Sequence, residues 1–329
     1  MYRIESSTNN MSLQIGIIYG KIELLIANAS WKDQLEELTK YRASISAITT
    51  DKNIFEKLPA DSVPAKKLII AVLGAQKYAE YTHYRKVLER ITPRTLAPLS
   101  IDVLKHIHHE ILPEDEFTFR ENAKLLPKLV TVNNIVKEVE LQVRTTPEEI
   151  VGKLTKFLTW FNSNYSGENP IILAALAHYY IVEIHPFSDG NGRLSNILGN
   201  VGFVAGGLFS KKIFAIEHYL LQNIEIYYEH IEEATLTGDL TKWISFYTEA
   251  LLASLIDTSK LIKKITFGAV DIEHNRQVKL NELETKVLQI LSQRPSTKIT
   301  QIATELDCSR QYIHTIINRL KVDGMVQVL

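Results

Sequence analysis

Nine consecutive residues near the middle of the chain combine side chains suited to phosphate chemistry. They run His185-Pro186-Phe187-Ser188-Asp189-Gly190-Asn191-Gly192-Arg193. The imidazole of His185 titrates near neutral pH and can accept a proton from an incoming hydroxyl group. The carboxylate of Asp189 can bind a hard cation such as Mg²⁺, which would bridge to phosphate oxygens. The segment therefore offers a general base and a metal ligand on one loop.

The second half of the same loop is suited to holding an anion. Gly190 and Gly192 leave the backbone N–H groups around Asn191 open to close approach. A helix is expected to begin near Arg193, and its positive dipole end would point at the same place. The planar guanidinium of Arg193 adds paired donors for phosphate oxygens. We expect Phe187 to be buried as an anchor that fixes the loop.

These residues resemble the motif of the Fic family, His-x-Phe-x-(Asp or Glu)-Gly-Asn-Gly-Arg-x-x-Arg. Every specified position matches except the last arginine, where this chain has Asn196. The resemblance extends from about Ser44 to Thr248. It includes Phe119-Arg120 before a predicted hairpin, the helix Ala174 to Ile184, and Tyr219-Leu220, Asn223 and Tyr227-Tyr228 on a downstream helix.

The resemblance implies transfer of AMP from ATP to a Ser, Thr or Tyr hydroxyl group of a target protein. It implies that His185 is the base and that Asp189 binds Mg²⁺. It also implies a nucleotide site made of Gly190, Asn191, Gly192, Arg193, Asn196, Asn223 and Tyr227, of which the last two would lie near the base and the sugar. The hairpin near Leu129–Val143 resembles the family's flap, which adds a strand to the target segment.

Asn196 is the principal departure from the family pattern. It has neither the charge nor the reach of the arginine that clamps the terminal phosphate. Many relatives pair that arginine with an inhibitory glutamate, and here Thr49 stands at the corresponding position in the segment 42–50. Loss of both partners of an ion pair is physically consistent, because an unpaired buried charge is costly. Two interpretations remain: an unrestrained enzyme with altered nucleotide preference, or a chain drifting toward inactivity.

The elements that must position the loop are mostly helical. Apolar residues recur at three- and four-residue spacing after Thr146, and the segment from Pro170 to Ile184 is apolar on nearly all sides, as in a buried central helix. The β-branched runs 129–132 and 139–143 predict a small hairpin. The predicted fold class is mainly α: a Fic-type helical bundle with a β-hairpin flap and a C-terminal winged-helix domain.

The last fifty residues or so read as a winged helix-turn-helix, with Met325 to Leu329 as a strand. The predicted recognition helix carries polar residues at Arg310, Gln311, His314, Asn318 and Arg319. Residues 281–329 hold six basic and five acidic side chains, a net charge of +1 that is small for a DNA-binding surface. DNA binding and packing on a neighbour, including a homodimer, remain equally open.

Composition bounds the remaining possibilities. The 329 residues are 45% hydrophobic and 23% charged, with 37 basic and 38 acidic side chains. The lone Cys308 excludes an internal disulfide framework, and no apolar run is long enough to cross a membrane. We therefore expect a cytoplasmic protein. The predicted domains are an N-terminal helical region (1–95), a Fic domain (96–258), a linker (259–280) and a winged helix-turn-helix domain (281–329).

Two functional hypotheses follow. The first is a protein adenylyltransferase that uses ATP as substrate with Mg²⁺. The alternative is a catalytically weak Fic scaffold that acts as a DNA-binding or protein-binding regulator through its C-terminal module.

Overall fold

A computed structural model describes residues 2–27, 29–91, 98–132, 135–208, 212–267, 282–293 and 297–322. The chain divides into two compact units, Met1–Ile256 and Asp257–Leu329. Helices dominate both units in these ranges, which confirms the mainly α class. Among the described residues no helix is both long and apolar enough to span a bilayer.

Among the described residues, six helices precede the hairpin of the first unit. They are α1 (Ser6–Ile26), α2 (Lys32–Ala47), α3 (Ile54–Lys57), α4 (Lys66–Leu73), α5 (Ala75–Glu89) and α6 (Ile101–Ile111). Helix α6 begins at a conventional cap, because the Ser100 side chain accepts a hydrogen bond from the Val103 N–H. Its buried face includes Leu104, Ile107 and His108. Helices α5 and α6 supply side chains that contact the loop described below.

Two strands follow in the segment where the sequence predicts a hairpin. Strand β1 covers Leu125–Val132 and strand β2 covers Ile135–Gln142. They pair antiparallel, with Leu125 opposite Gln142 at the open end and Val132 opposite Ile135 at the turn. Within the described residues the sheet has these two strands only. Each strand therefore has one edge that no further strand of this sheet covers.

In the described part of the chain after the hairpin, six helices complete the first unit and lead out of it. They are α7 (Ile150–Asn164), α8 (Pro170–Ile184), α9 (Asn191–Ala205), α10 (Ile216–Gln222), α11 (Ile224–Thr237) and α12 (Thr241–Phe267). Helix α8 begins with Pro170 in its first turn, and the Asn169 side chain accepts a hydrogen bond from the Ile171 N–H. Its residues from Ile171 to Tyr179 are all buried, as expected for a central helix.

Helices α8 and α9 approach each other backbone to backbone. A Cβ atom placed on Gly202 of α9 would lie 2.6 Å from the Cα atom of Ala174 on α8. Only a glycine at this position permits so close a contact. The loop that joins the two helices is consequently held between two elements whose separation is fixed.

The predicted linker is corrected at its start. Residues 259–267 continue helix α12 instead of forming a connection. Leu261 and Ile262 are buried, and together with Leu255 and Thr258 they continue a helical spacing of buried positions. The charged residues of this stretch occupy the exposed side of the same helix. Residues 268–280, the rest of the predicted linker, lie outside the described residues.

The second unit contains α13 (Glu282–Gln293), α14 (Ile299–Glu305) and α15 (Arg310–Val322). Apolar side chains from all three helices form one core that includes Val287, Ile302 and Ile313. Asp307 adopts a positive φ of 49° in the turn between α14 and α15, a conformation that Asp tolerates better than most residues. The predicted final strand, Met325 to Leu329, lies outside the described residues.

Candidate active site

His185 is the C-terminal cap of α8 and has left-handed backbone angles, φ 50° and ψ 59°. The turn directs the chain away from α8 and into the loop that leads to α9. The His185 carbonyl oxygen accepts a 2.7 Å hydrogen bond from Nε of Arg120. The residue is 9% exposed, so its imidazole lies at the floor of the loop with limited access to solvent.

Arg120 clamps the start of the loop through backbone carbonyl groups. Besides the bond to His185, its guanidinium donates to the carbonyl oxygens of Asn122 and Thr145. The Arg120 N–H also donates to the Pro186 carbonyl oxygen at 2.9 Å. Arg120 is 5% exposed. Its planar set of donors thus joins three separate segments at the point where His185 must be held.

The surroundings of His185 keep its imidazole neutral. Burial lowers the pKa of His185 to about 4, and the positive charges of Lys124 and Arg120 act in the same direction. A backbone hydrogen bond involving Val182 and the charge of Asp189 oppose this shift. A neutral imidazole has a free lone pair at physiological pH. His185 is therefore in the form that can accept a proton.

Phe187 anchors the loop, as the sequence predicts. Its ring is fully buried and stacks on the ring of His108, with centroids 3.7 Å apart and planes 4° from parallel. Nε2 of His108 lies 2.8 Å from the Asp189 carbonyl oxygen, so the same ring also hydrogen-bonds the loop. The sequence analysis did not identify this role of His108. Only the folded structure shows that α6 lies beside the loop.

Asn191 has a structural side chain and a functional backbone. Its Oδ1 accepts from the Phe187 N–H at 3.0 Å, and its Nδ2 donates to the Phe187 carbonyl at 2.8 Å. Both polar atoms of the side chain are thus bonded within the loop, which leaves the backbone N–H of Asn191 as the group that could contact a phosphate. The first intrahelical bond of α9 comes from the Leu194 N–H to the Gly190 carbonyl. The N–H groups of residues 191–193 precede it and face outward at the helix start.

Arg193 lies in the first turn of α9, between two carboxylates. Its Nη1 is 3.0 Å from Oε2 of Glu80 on α5, and its Nη2 is 3.2 Å from Oδ2 of Asp189. The Asp189 side chain is 73% exposed, whereas the Arg193 side chain is 9% exposed. Sequence reasoning did not identify Glu80, which lies far from the loop in the chain.

The residues present fit a Mg²⁺ ion bound together with a nucleotide. Mg²⁺ usually takes one or two protein carboxylates and completes its shell with phosphate oxygens and water. Asp189 provides one exposed carboxylate next to the N-terminus of α9. Among the described residues no group of three or more His, Cys, Asp or Glu side chains forms a metal site by itself. The carboxylate thus suits an ion brought in with phosphates.

Models of two known families match parts of this chain. The sequence model of the Fic/DOC family matches residues 98–201. Residues 98–201 are a Fic domain. A second model, described as winged helix-turn-helix DNA-binding, matches residues 280–327.

Named relatives and solved structures share this Fic domain. The protein adenylyltransferase Fic of Nematostella vectensis is 26% identical over 224 residues, covering 57% of this chain and 49% of the relative. That of Drosophila willistoni is 34% identical over 124 residues, covering 30% and 25%. The chain spans half or less of the length of these relatives.

Two solved structures support the fold. The structure of a Fic family protein from Desulfovibrio desulfuricans G20 superimposes with a TM-score of 0.63 at 16% identity, covering 98% of this chain and 91% of that one. Fic-1 (aa134 - 508) from C. elegans gives a TM-score of 0.54 at 18% identity, covering 78% and 73%.

The Fic domain places Tyr227 differently from the sequence-based expectation. Its ring is 7% exposed, and its hydroxyl group is 2.9 Å from Nε2 of His178. The expectation that Tyr227 contacts the nucleotide is corrected, because its aromatic ring packs into the core beside Trp243. His178 also lies 3.4 Å from Oγ of Ser195, which donates to the Gly192 carbonyl. Tyr227 is thus connected to the first turn of α9 through His178 and Ser195.

The other two predicted nucleotide residues remain partly exposed. Asn196 lies one turn into α9, where its carbonyl oxygen accepts from Nδ2 of Asn200. Asn223 caps α11, and its Nδ2 donates to the Tyr219 carbonyl at 2.9 Å. Neither residue adds a positive charge near the N-terminus of α9.

We expect Gly190→Ala to damage the Fic loop. Gly190 has a φ of 77°, and an added Cβ would lie 3.0 Å from Nε2 of His108. Left-handed backbone conformation costs a non-glycine residue about 1–2 kcal/mol, and the contact would displace the ring that stacks on Phe187. Thermal unfolding should show a lower Tm for this variant. Gly207→Ala, also at positive φ but with open space around it, is the matched control; an equal loss in both variants would contradict a specific role for His108.

The free energy of unfolding should fall on acidification through two buried histidines. Burial lowers the pKa of His178 to about 3 and that of His185 to about 4. Below pH 6.5 the unfolded chain binds protons at both residues while the folded chain does not, so stability decreases as pH falls. Each contributes about 1.4 kcal/mol per pH unit between roughly pH 6 and its folded pKa.

Urea unfolding between pH 7.5 and 5 measures this slope. His178→Asn should lower the slope by about 1.4 kcal/mol per pH unit between about pH 6 and 5. An unaltered slope in His178→Asn would show that this histidine is protonated in the folded state.

Proposed function

We propose that the Fic domain transfers AMP from ATP to a Ser, Thr or Tyr hydroxyl group of a target protein. The observation that carries the proposal is the position of the neutral His185 imidazole on the same loop as the outward N–H groups of residues 191–193. A proton acceptor and a proposed anion site are thereby joined by five residues of one loop, 186–190. Relatives named protein adenylyltransferase share the domain.

In the proposed reaction His185 accepts the proton of the target hydroxyl group. The hydroxyl oxygen forms a bond to the α-phosphorus of ATP, and the bond from that phosphorus to the bridging oxygen breaks. Pyrophosphate leaves, and AMP remains on the target through a phosphodiester. The N–H groups at the start of α9 would stabilise the charge on the phosphates, because they are oriented before the reaction begins.

Two side chains of the loop complete the proposed nucleotide site. Asp189 would hold Mg²⁺, which neutralises phosphate charge and orients the leaving pyrophosphate when it is bound. Arg193 would donate from its guanidinium to the phosphates. Asn196 and Asn223 would lie at the margin of the site. Because Asn196 is uncharged, the site lacks the second cation that the family motif provides.

The hairpin β1–β2 is the proposed docking site for the target. Each strand has an edge that no further strand of its sheet pairs with among the described residues. An extended target segment can add to such an edge through backbone hydrogen bonds. This pairing would lay a hydroxyl-bearing residue along the hairpin that precedes the loop in the chain.

Labelled nucleotides test the proposal. The protein is incubated with Mg²⁺ and a cell extract, with ATP labelled at either the α- or the γ-phosphate. Relative to the extract alone, AMP transfer predicts that the protein adds protein-bound label from α-labelled ATP and adds none from γ-labelled ATP. Label from the γ-phosphate would indicate phosphorylation instead, and the absence of label with ATP, CTP, GTP and UTP would refute nucleotide transfer.

DNA binding by the C-terminal module is the second candidate. Arg310, Gln311 and His314 are exposed on α15, which suits contact with bases or phosphates. Arg319, however, pairs with the buried Glu284 at 2.8 Å, so part of its charge is used within the module. Binding to random duplex DNA should weaken steeply with salt if phosphates are contacted.

The assembly and location of the chain are also proposals. A homodimer is the alternative use of the C-terminal module, and light scattering across a concentration series would detect it. A cytoplasmic location is proposed from the single cysteine, Cys308, which suits a reducing compartment. Fractionation of cells would test this location.

A further inference from the structure

Both terminal nitrogens of Arg193, the arginine of the Fic loop, are paired with carboxylates. Arg193 donates from Nη1 to Glu80 at 3.0 Å and from Nη2 to Asp189 at 3.2 Å. Its side chain is 9% exposed, so these carboxylates face a guanidinium with little access to water. A phosphate that binds Arg193 through both terminal nitrogens must displace both partners.

The two carboxylates differ in what can replace the arginine as their partner. Asp189 is 73% exposed and has the position of a cation ligand, so a cation that arrives with the nucleotide can bind it. Glu80 is 19% exposed and belongs to α5. Among the described contacts of Glu80, Arg193 is the cationic partner. Glu80 therefore competes directly with an incoming phosphate.

Helix α5 keeps Glu80 at this distance. Lys77, one turn before Glu80, donates from Nζ to the Ile48 carbonyl at the end of α2 at 2.8 Å. The segment around Ile48 is the one that resembles the family's inhibitory helix, where Thr49 replaces the glutamate. Glu80 lies outside that segment and contacts a different arginine position of the motif. The Glu80 carboxylate therefore belongs to helix α5 and not to the loop itself.

The charges around the proposed phosphate site strengthen the competition between Glu80 and phosphate. Arg193 contributes one positive charge, and Glu80 and Asp189 contribute two negative charges. Asn196 supplies none where the family motif has its second arginine. A nucleotide polyphosphate consequently meets the Glu80 carboxylate beside Arg193, and like-charge repulsion adds to the loss of a guanidinium donor.

We propose that Glu80 competes with the nucleotide phosphates for Arg193 and thereby sets the nucleotide affinity of the site. This inference rests on the proposed transfer of AMP from ATP. Glu80 acts on substrate binding through Arg193, so it is a positioning residue. Its removal should alter KM more than kcat.

Glu80→Gln is the direct test. The glutamine keeps an oxygen that can accept from Nη1, so Arg193 retains a neutral partner and the fold is preserved. Titration calorimetry with ATP and Mg²⁺ should give a Kd about tenfold lower than for the unmodified chain, equivalent to about 1.4 kcal/mol. The KM for ATP should fall similarly, and kcat should change less than twofold. Glu80→Ala, which removes the acceptor altogether, is the second variant and should also bind ATP more tightly.

Glu89→Gln is the matched control. Glu89 lies on the same helix and pairs with Arg85 at 3.0 Å, with its side chain 41% exposed. Its replacement should leave the Kd for ATP unchanged. Equal or weaker ATP binding by both Glu80 variants, with Tm values like the parent's, would overturn the inference.

The test separates this inference from the proposed function. Tighter ATP binding by Glu80→Gln without any transfer of label would support the role of Glu80 and refute AMP transfer. Transfer by the unmodified chain with unchanged affinity in Glu80→Gln would refute the role of Glu80 alone. Absence of ATP binding in every variant would refute both.

Discussion

Replacing His185 with alanine is expected to reduce AMP transfer by about 10²- to 10⁴-fold, the range typical of a lost general base. The imidazole is neutral because burial lowers its pKa to about 4, and no other described side chain of the loop can accept a proton in its place without giving up its own contact. The rate of label incorporation at saturating ATP measures this effect.

The control must account for the left-handed backbone at His185. Alanine is disfavoured there, whereas asparagine tolerates such angles better. His185→Asn should therefore lose activity as fully as His185→Ala while keeping a Tm nearer that of the parent. His106→Ala, at an exposed histidine of α6, should remain active. A retained rate in His185→Asn would show that the histidine is not the base.

Replacing Glu217 with alanine is expected to lower the free energy of unfolding by about 3–5 kcal/mol, because it leaves a buried ammonium group unpaired. Nζ of Lys212 lies 3.1 Å from both carboxylate oxygens of Glu217, and these side chains are 8% and 0% exposed. Oε1 of Glu217 also accepts from Asn200 at 2.9 Å and from Tyr84 at 3.2 Å. Urea unfolding at pH 7.5 measures the loss.

Two further variants show whether charge is the cause. The double variant Lys212→Met, Glu217→Gln removes both charges and keeps an acceptor for Tyr84, so it should recover most of the loss. Glu233→Ala breaks an exposed pair with Lys242, whose side chains are 42% and 65% exposed, and should cost less than about 1 kcal/mol. A double variant as unstable as Glu217→Ala would point to lost packing instead of an unpaired charge.

The Fic loop was predictable from sequence because its chemistry is local. His185 and Asp189 are close in the chain, and the glycines that expose the start of α9 are adjacent to them. Central helix α8 was predictable for a similar reason, since its apolar residues are continuous. In each case the pattern that determines the structure lies within one segment.

The partners of the loop could not be predicted in the same way. His108, Arg120 and Glu80 reach it from other elements, and their contacts depend on how α5, α6 and the hairpin pack. Tyr227 is the opposite case. The sequence places it near the nucleotide, whereas in the fold its ring is buried and its hydroxyl group contacts His178. Linker residues 259–267 were misassigned since charged residues on the exposed face of α12 masked its buried positions.

The close contact between α8 and α9 at Gly202 has a consequence for how such an enzyme can diversify. Because the two helices that bracket the loop cannot slide or separate without breaking a backbone contact, the catalytic frame behaves as one rigid piece. Changes in nucleotide or target preference can then accumulate in α5, in the hairpin or in the C-terminal module without moving His185. Under the proposed transfer of AMP, this frame would keep the reaction unchanged, and substitutions in those other elements would alter the substrate.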